Sequence, residues 1–248
     1  GENLDGLLQA RNQSLVGIVN GIDYEVYNPE KDKALAKPYN VKNFKKNKVA
    51  NKLALQKELG LPEDKNQFVI GIISRLTDQK GLDLVDRIMN NICTDGTQFV
   101  VLGTGDRRYE DMFRYLSGTS ANIRARIEFS AQLSNLIYAG ADMFLMPSAF
   151  EPCGLSQLIS LKYGTIPIVR ATGGLDDTIV GYPMTNGTGF KFWDYSPYAM
   201  MDCLRYAIDI HKDKKAWTQL VENAMNADFS WDISAQKYVD AYEEALKN

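Results

Sequence analysis

Short continuous apolar runs alternate along the middle of this chain with stretches in which apolar residues recur every three or four positions. Phe68-Val-Ile-Gly-Ile-Ile-Ser is one such run, as expected of a parallel strand buried on both faces. Behind it, Gly81–Cys93 spaces Leu82, Val85, Ile88, Met89 and Ile92 along one face of a helix. The alternation then predicts a strand at Gln98–Gly103, a helix at Asp106–Leu116, a strand at Arg126–Ser130 and a short helix at Leu133–Ala139. A strand at Met143–Ser148, a helix at Gly154–Tyr163 and a fifth strand at Ile166–Ala171 complete it. Strands alternating with helices of this length predict an α/β fold, an open parallel sheet with helices on both faces. Right-handed crossovers then put every strand-to-helix loop on one edge of the sheet, where ligands bind.

The flanks read differently. Residues 1–30 hold a helix end and then Leu15–Asp23, predicted as a strand closed by an Asn-Gly turn signal. Residues 31–66 open with lysines at 31, 33, 37, 42, 45, 46, 48, 52 and 57. They predict an exposed linker leading into a helix at 48–59, stopped by Gly60 with Pro62 beyond. The sharper alternative, a nucleic-acid patch, lacks interleaved aromatics and arginines. Residues 67–228 form the α/β unit. At 229–248 an amphipathic helix carries Ile233, Tyr238, Val239, Tyr242 and Leu246 on its apolar side.

Composition narrows the class. The 248 residues are 45% hydrophobic and 24% charged, with 28 basic against 31 acidic side chains and a net charge of −3. Those are the proportions of an ordinary soluble globular protein, and the mild acidity speaks against nucleic acid as a partner. Apolar runs such as Phe68–Ile73 fall far short of the roughly 20 residues a membrane helix needs, so no membrane association is expected. No signal peptide opens the chain, and Gly1 in place of Met leads us to expect a piece of a longer protein. Cys93, Cys153 and Cys203 are far apart and odd in number, which makes neither a disulfide framework nor a metal-site spacing and suits a reducing compartment. The single histidine, His211, sits in His-Lys-Asp-Lys-Lys and is expected to be a solvated helix-end residue. A Ser-His-Asp or Cys-His mechanism within this chain is correspondingly disfavoured.

The expected loops hold unusual residues. Ser74-Arg-Leu-Thr-Asp-Gln-Lys-Gly81 sets Arg75 and Lys80 where the first strand becomes the first helix. Guanidinium, ammonium and free backbone N–H groups converging there can receive a diphosphate; the plain alternative is two surface charges. Gly103-Thr104-Gly105 lets the backbone approach a flat group, without the spacing of a dinucleotide fingerprint. Phe129 closes the third strand, either as a face for a base or as core. In the fourth loop, Glu151 stands before a helix N-terminus, either as a capping carboxylate or as an acceptor for sugar hydroxyls. The N–H groups of Cys153, Gly154 and Leu155 would then be donors. Thr172-Gly173-Gly174 is a second glycine turn opening onto a helix, another place for phosphate oxygens. Each loop alone is ambiguous. Five in register on one edge are not.

The run Ser74–Gly81, then Leu-Gly-Thr-Gly-Asp at 102–106, then Tyr138–Leu158 with its Glu-Pro-Cys-Gly-Leu block, then Lys162–Thr178, resembles bacterial glycogen synthases and plant starch synthases. Asn-Leu-Asp-Gly-Leu-Leu at 3–8 and Val-Gly-Ile-Val-Asn-Gly-Ile-Asp at 16–23 resemble the same family around its interdomain junction. The likeness covers essentially the whole chain. That family has two Rossmann-like domains facing across a cleft, the GT-B architecture, and this chain resembles the C-terminal, donor-binding one. On that likeness, residues 1–30 close the N-terminal domain and cross the junction, while 229–248 would pack back on the absent domain.

Carried over by motif, the resemblance implies that Arg75 and Lys80 bind the diphosphate of a nucleotide-glucose donor, ADP-glucose. It implies that Glu151 and the backbone at Cys153 and Gly154 hold the glucose hydroxyls, that Phe129 stacks on the base, and that Thr172 with its glycines lies beside the phosphates. Ile159 stands where related transferases have a second Glu, which starch and glycogen synthases generally lack. Ala149 stands where the family usually has Arg. The implied reaction is glucosyl transfer with retention to an α-glucan, with no separate cofactor, no metal because Arg and Lys replace Mg²⁺, and a cytoplasmic location, or a plastid one in a plant or alga. The acceptor site, with a Lys-Thr-Gly-Gly-Leu loop, would lie on the absent half. A sugar-nucleotide epimerase of the same architecture would not match the Glu-Pro-Cys-Gly block. A non-catalytic nucleotide-sugar or glucan-binding module would bind without turnover. A dinucleotide dehydrogenase would need a proper Gly-x-Gly-x-x-Gly.

Overall fold

Apolar runs that alternate with amphipathic segments can bury both faces of a sheet only by covering it with their own helices. The chain does this in a computed structural model that describes residues 4–92 and 96–247; Cys93 lies outside the described residues. A short helix, α1 (Asp5–Ala10), and a long irregular stretch lead to α2 (Phe44–Leu59). The alternating part follows as β1 (Phe68–Ile73), α3 (Leu82–Ile92), β2 (Thr97–Leu102), α4 (Arg107–Thr119), β3 (Ile123–Arg126) and α5 (Ala131–Gly140). It continues as β4 (Met143–Met146), α6 (Ser156–Lys162), β5 (Ile166–Arg170), α7 (Gly173–Thr178) and β6 (Phe190–Phe192). Three helices close the chain: α8 (Pro197–Lys212), α9 (Lys214–Asn226) and α10 (Trp231–Ala245).

All the strands run parallel, in the order β3-β2-β1-β4-β5-β6. This is the expected Rossmann-like α/β sheet. Strand order reverses between β1 and β4, and such a switch point opens a crevice at the carboxyl ends of the two strands. Register fixes its walls: Ile70 pairs with Met143 and Gly71 with Phe144, while β1 pairs with β2 along its whole length. Phe99, Phe113 and Phe144 are fully buried, each stabilising the fold by roughly 1.5–3 kcal/mol.

Several expectations are corrected. Leu15–Asp23 is not a strand: Ile22 makes one bridge, to Ser230, and Leu15 and Val16 are exposed with no neighbouring strand to pair with. The third strand lies upstream of Arg126–Ser130, at Ile123–Arg126, because Ile123 pairs with Phe99 and Ala125 with Val101. Helix α2 starts at buried Phe44 rather than near 48.

The lysine-rich segment is not simply exposed. Lys52 forms a 2.6 Å ion pair with Asp142, with 7% and 11% of the two side chains exposed. The Lys48 ammonium donates to the carbonyls of Ala139 and Tyr163 and to Thr165 Oγ1, and burial pulls its pKa down to about 7. His211 ends α8 as expected but is not solvated. Its ring sits 4.8 Å from Phe68 and 4.9 Å from Trp217, and burial lowers its pKa to about 4. Neither β6, which is short and centred on Lys191, nor α8 and α9 follows from the apolar pattern used above.

Candidate functional site

The loop after β1 turns through a 3-10 turn, Asp78–Lys80, into α3, with the Lys80 amide donating to Thr77 O at 3.0 Å. The loop after β2 holds it from the side. Leu76 N–H donates to Thr104 O at 2.9 Å, and Asp106 N–H donates to Leu76 O at 2.7 Å. Gly103 is required by this clasp: φ is +155°, and a Cβ would lie 1.8 Å from Ser74 O. Gly105 likewise abuts Leu76 O. Gly103-Thr104-Gly105 is therefore first a support for the Arg75–Lys80 loop, with Thr104 exposed at the edge.

Lys80 faces across the switch point to the loop after β4. Its Nζ lies 2.6 Å from Glu151 Oε2, and the side chains are only 18% and 9% exposed. Ser148 Oγ donates to the same carboxylate oxygen at 3.3 Å. The backbones are stitched as well, Ala149 N–H donating to Gln79 O at 2.9 Å. Arg170, at the end of β5, props this loop by donating to Ala149 O at 3.1 Å. A cavity of about 220 Å³ opens here, lined by Ser74, Arg75, Lys80, Ser148 and Ser156 among others. Arg75 is exposed, and its side chain forms no hydrogen bond or ion pair among the described residues. The buried hydroxyls Ser74 Oγ and Thr77 Oγ1 have no partner. Arg75 and the Ser74 hydroxyl thus stand uncommitted on the lining of one cavity, while the Thr77 hydroxyl lies farther along the same loop. An oxygen-rich anion in the cavity satisfies the cation and the Ser74 hydroxyl.

The remaining residues complete the edge. Gln157 donates from Nε2 to the carbonyls of Cys153 and Gly154, both at 3.0 Å, fixing the turn before α6. The amides of Cys153, Gly154 and Leu155 donate to no protein acceptor among the described residues. Gly174 N–H donates to Glu151 O at 3.0 Å, so the loop after β5 grips the loop after β4. Gly173, at φ +47°, would place a Cβ 2.3 Å from that same oxygen. Thr172 is half-buried just before α7. Phe129 does not close a strand and is not core: it lies in the β3–α5 loop and is 93% exposed. Since β3 lies two strands from β1, about 10 Å along the edge, the ring can face a flat group held away from the cation pair.

Sequence reasoning missed a brace on the outer side of the first loop. Buried Tyr109 donates its hydroxyl to Asp78 Oδ1 at 2.5 Å, and Arg108 pairs with the same oxygen. Burial raises the Tyr109 pKa to about 12, so the phenol stays a donor. Ser74, Thr77 and Ser148 were also missed, although the first two lie inside the Ser74–Gly81 run, where a hydroxyl beside a cation was the available signal.

Comparison with known proteins places this geometry. Residues 51–225 match the family described as glycosyl transferases group 1. A glycogen synthase of Lachnoclostridium phytofermentans is 55% identical over 247 residues, covering 98% of this chain and 52% of that protein. The chain spans about half the length of the curated relatives it matches. Among solved structures, the catalytic domain of starch synthase IV from Arabidopsis thaliana, bound to ADP and acarbose, superposes with a TM-score of 0.91 at 35% identity. That match covers 99% of this chain and 52% of that one. The C-terminal domain of a group 1 glycosyl transferase from Francisella tularensis shares the fold, with a TM-score of 0.59 at 18% identity, covering 88% of this chain and 98% of that one.

Proposed function

The chain belongs to the group 1 glycosyl transferases, and from that premise we propose that it is the C-terminal, donor-binding half of an α-1,4-glucan synthase. In this reading the whole enzyme moves glucose from ADP-glucose to the non-reducing end of glycogen or starch with retention of configuration. The observation that carries it is the switch-point cavity, where Lys80 is paired with Glu151 while the side chains of Arg75 and Ser74 stand free. ADP named in the Arabidopsis structure supports the choice of nucleotide.

The chemistry follows from charge. As the bond from glucose to diphosphate breaks, negative charge grows on the leaving phosphate while the sugar becomes oxocarbenium-like. Arg75 and Lys80 stabilise that growing charge more than the ground state, which is electrostatic catalysis. Glu151, fixed by Lys80 and Ser148, accepts hydrogen bonds from glucose hydroxyls, and the amides at 153–155 donate to others. Phe129 stacks on the base, and Thr172 with Gly173 and Gly174 flanks the phosphates. Glu151 positions the sugar rather than attacking it, so the acceptor hydroxyl attacks on the face the nucleotide leaves. No separate cofactor enters this reading.

The acceptor belongs to the other half of the enzyme. Leu7 on α1, Tyr242 on α10 and Leu246 just beyond it are exposed, and the proposed two-domain enzyme covers them. Approximation of donor and acceptor can supply roughly 7–11 kcal/mol of the barrier, so the chain alone should be nearly inactive. Glucose incorporation from ADP-glucose into glycogen tests this. Turnover within about tenfold of a full-length relative would contradict the half-enzyme reading, because the proximity term would then be absent.

A further inference from the structure

The segment that leaves β6 carries aromatic residues for which the donor site has no use. Trp193 and Tyr198 are 68% and 80% exposed. Tyr195 between them is tethered: its hydroxyl donates to Asp83 Oδ1 at 2.5 Å, and the Arg170 guanidinium lies 5.5 Å from its ring centroid. That hydrogen bond ties the segment to the first turn of α3. Helices α3 and α8 both start at the carboxyl edge and pack side by side, and a groove of about 470 Å³ runs between them. Arg87 and Asn91 line it from α3, and Tyr198, Asp202 and Arg205 line it from α8 over an apolar floor that includes Met201.

This is an unusual mixture for a bare surface. Arg87 has no ion-pair partner among the described residues, and Arg205 meets Asp202 only at 3.8 Å with both side chains largely exposed. The polar groups are therefore available. Arg87 and Asn91 stand one helical turn apart, about 6 Å along α3. A pyranose has an apolar C–H face and a rim of hydroxyls, each both donor and acceptor. Tyr198 offers the flat apolar face, the arginines and Asn91 offer planar donors, and Asp202 with Asn91 offers acceptors. A strongly anionic ligand would meet Asp202, and a wholly apolar one would strand the arginines. The volume lies in the range of small-molecule sites.

We infer that the α3–α8 groove is a second α-glucan-binding subsite, separate from the donor cavity. It holds one stretch of a neutral glucan chain on the outer face of the domain. The Tyr195–Asp83 bond holds the aromatic segment at its upper end, so a bound polymer is kept close to the carboxyl edge. The inference rests on the glucan reading above, but it concerns residues that take no part in donor binding.

Native electrophoresis of this chain through gels containing glycogen reads the subsite, with maltoheptaose titration as a second measure. The chain should be retarded by glycogen, and Tyr198→Ala should weaken that affinity by about fivefold or more, the loss of one stacking face. Tyr115→Ala, a control at a similarly exposed tyrosine on α4, should change nothing. ADP titration of the same samples separates the two readings. Normal ADP affinity with loss of glycogen affinity only in Tyr198→Ala supports the subsite. Absence of retardation, or equal retardation of wild type and Tyr198→Ala, overturns it, whatever ADP does. Failure of ADP to bind while the Tyr198 effect persists would instead sink the donor reading alone.

Discussion

Lys80 Nζ lies 2.6 Å from Glu151 Oε2, which joins the loops leaving β1 and β4 across the point where strand order reverses. In the proposed donor site the pair fixes the carboxylate for a sugar and leaves the Arg75 side chain as an uncommitted cation beside it. Removing Lys80 has two effects. It strips a cation from the phosphate side and leaves a largely buried carboxylate unpaired. In the two-domain enzyme, Lys80→Ala should lower kcat more than it raises the donor KM, by about 2–4 kcal/mol of transition-state stabilisation. Glu151→Gln should also cripple turnover, since an amide accepts hydroxyl protons less strongly. Steady-state kinetics decide it: near-normal kcat in either variant removes that residue from the mechanism.

His211 is the single histidine, so its titration can be followed cleanly. Burial against Phe68 and Trp217 lowers its pKa from 6.5 to about 4. The unfolded chain then binds more protons than the folded one between those values, so stability falls as pH drops from about 6.5 towards 4 and this contribution is flat above. The imidazole proton resonances should titrate near pH 4 in the folded protein. A midpoint near 6.5 would contradict the packing described.

The buried pair Lys52–Asp142 anchors α2 to the strand that begins at Met143, and Asp142 also accepts from the Val69 amide at 2.9 Å. Lys52→Ala strands that carboxylate and should cost roughly 3–5 kcal/mol of stability. Urea denaturation measures it; a loss below about 1 kcal/mol, the range of exposed pairs, would show that water reaches the pair.

Gly103→Ala tests the support role of the second loop. A Cβ at 1.8 Å from Ser74 O forces the Arg75–Lys80 loop to move. Nucleotide affinity should fall together with thermal stability, whereas Thr104→Ala, at an exposed position, should leave stability unchanged. Equal behaviour of the two variants would contradict the clasp.

What the sequence disclosed followed from periodicity and from motif. Four of the six strands were legible in place because buried strands write continuous apolar runs. Phe190–Phe192 was not, because three residues centred on a lysine carry no such signal. The strand at Ile123–Arg126 was displaced because two arginines hide its apolar alternation. At the site, Arg75, Lys80 and Glu151 stood out by charge at strand ends. The hydroxyls of Ser74 and Thr77 did not, since only burial without a partner marks them. Lys48 and Lys52 looked like solvated charge; among their acceptors are Ala139 and Asp142, about 90 residues away in sequence.

The central claim is that the carboxyl edge around the switch point binds an adenine nucleotide diphosphate. Chemical-shift mapping of this chain during titration with ADP tests it most directly. The account predicts saturable shifts at 74–81, 103–105, 129, 151–155 and 172–174, with Arg75→Ala weakening the affinity by about tenfold, as loss of one charge-assisted contact would. Absence of shifts at millimolar ADP, or shifts scattered away from these loops, would contradict it.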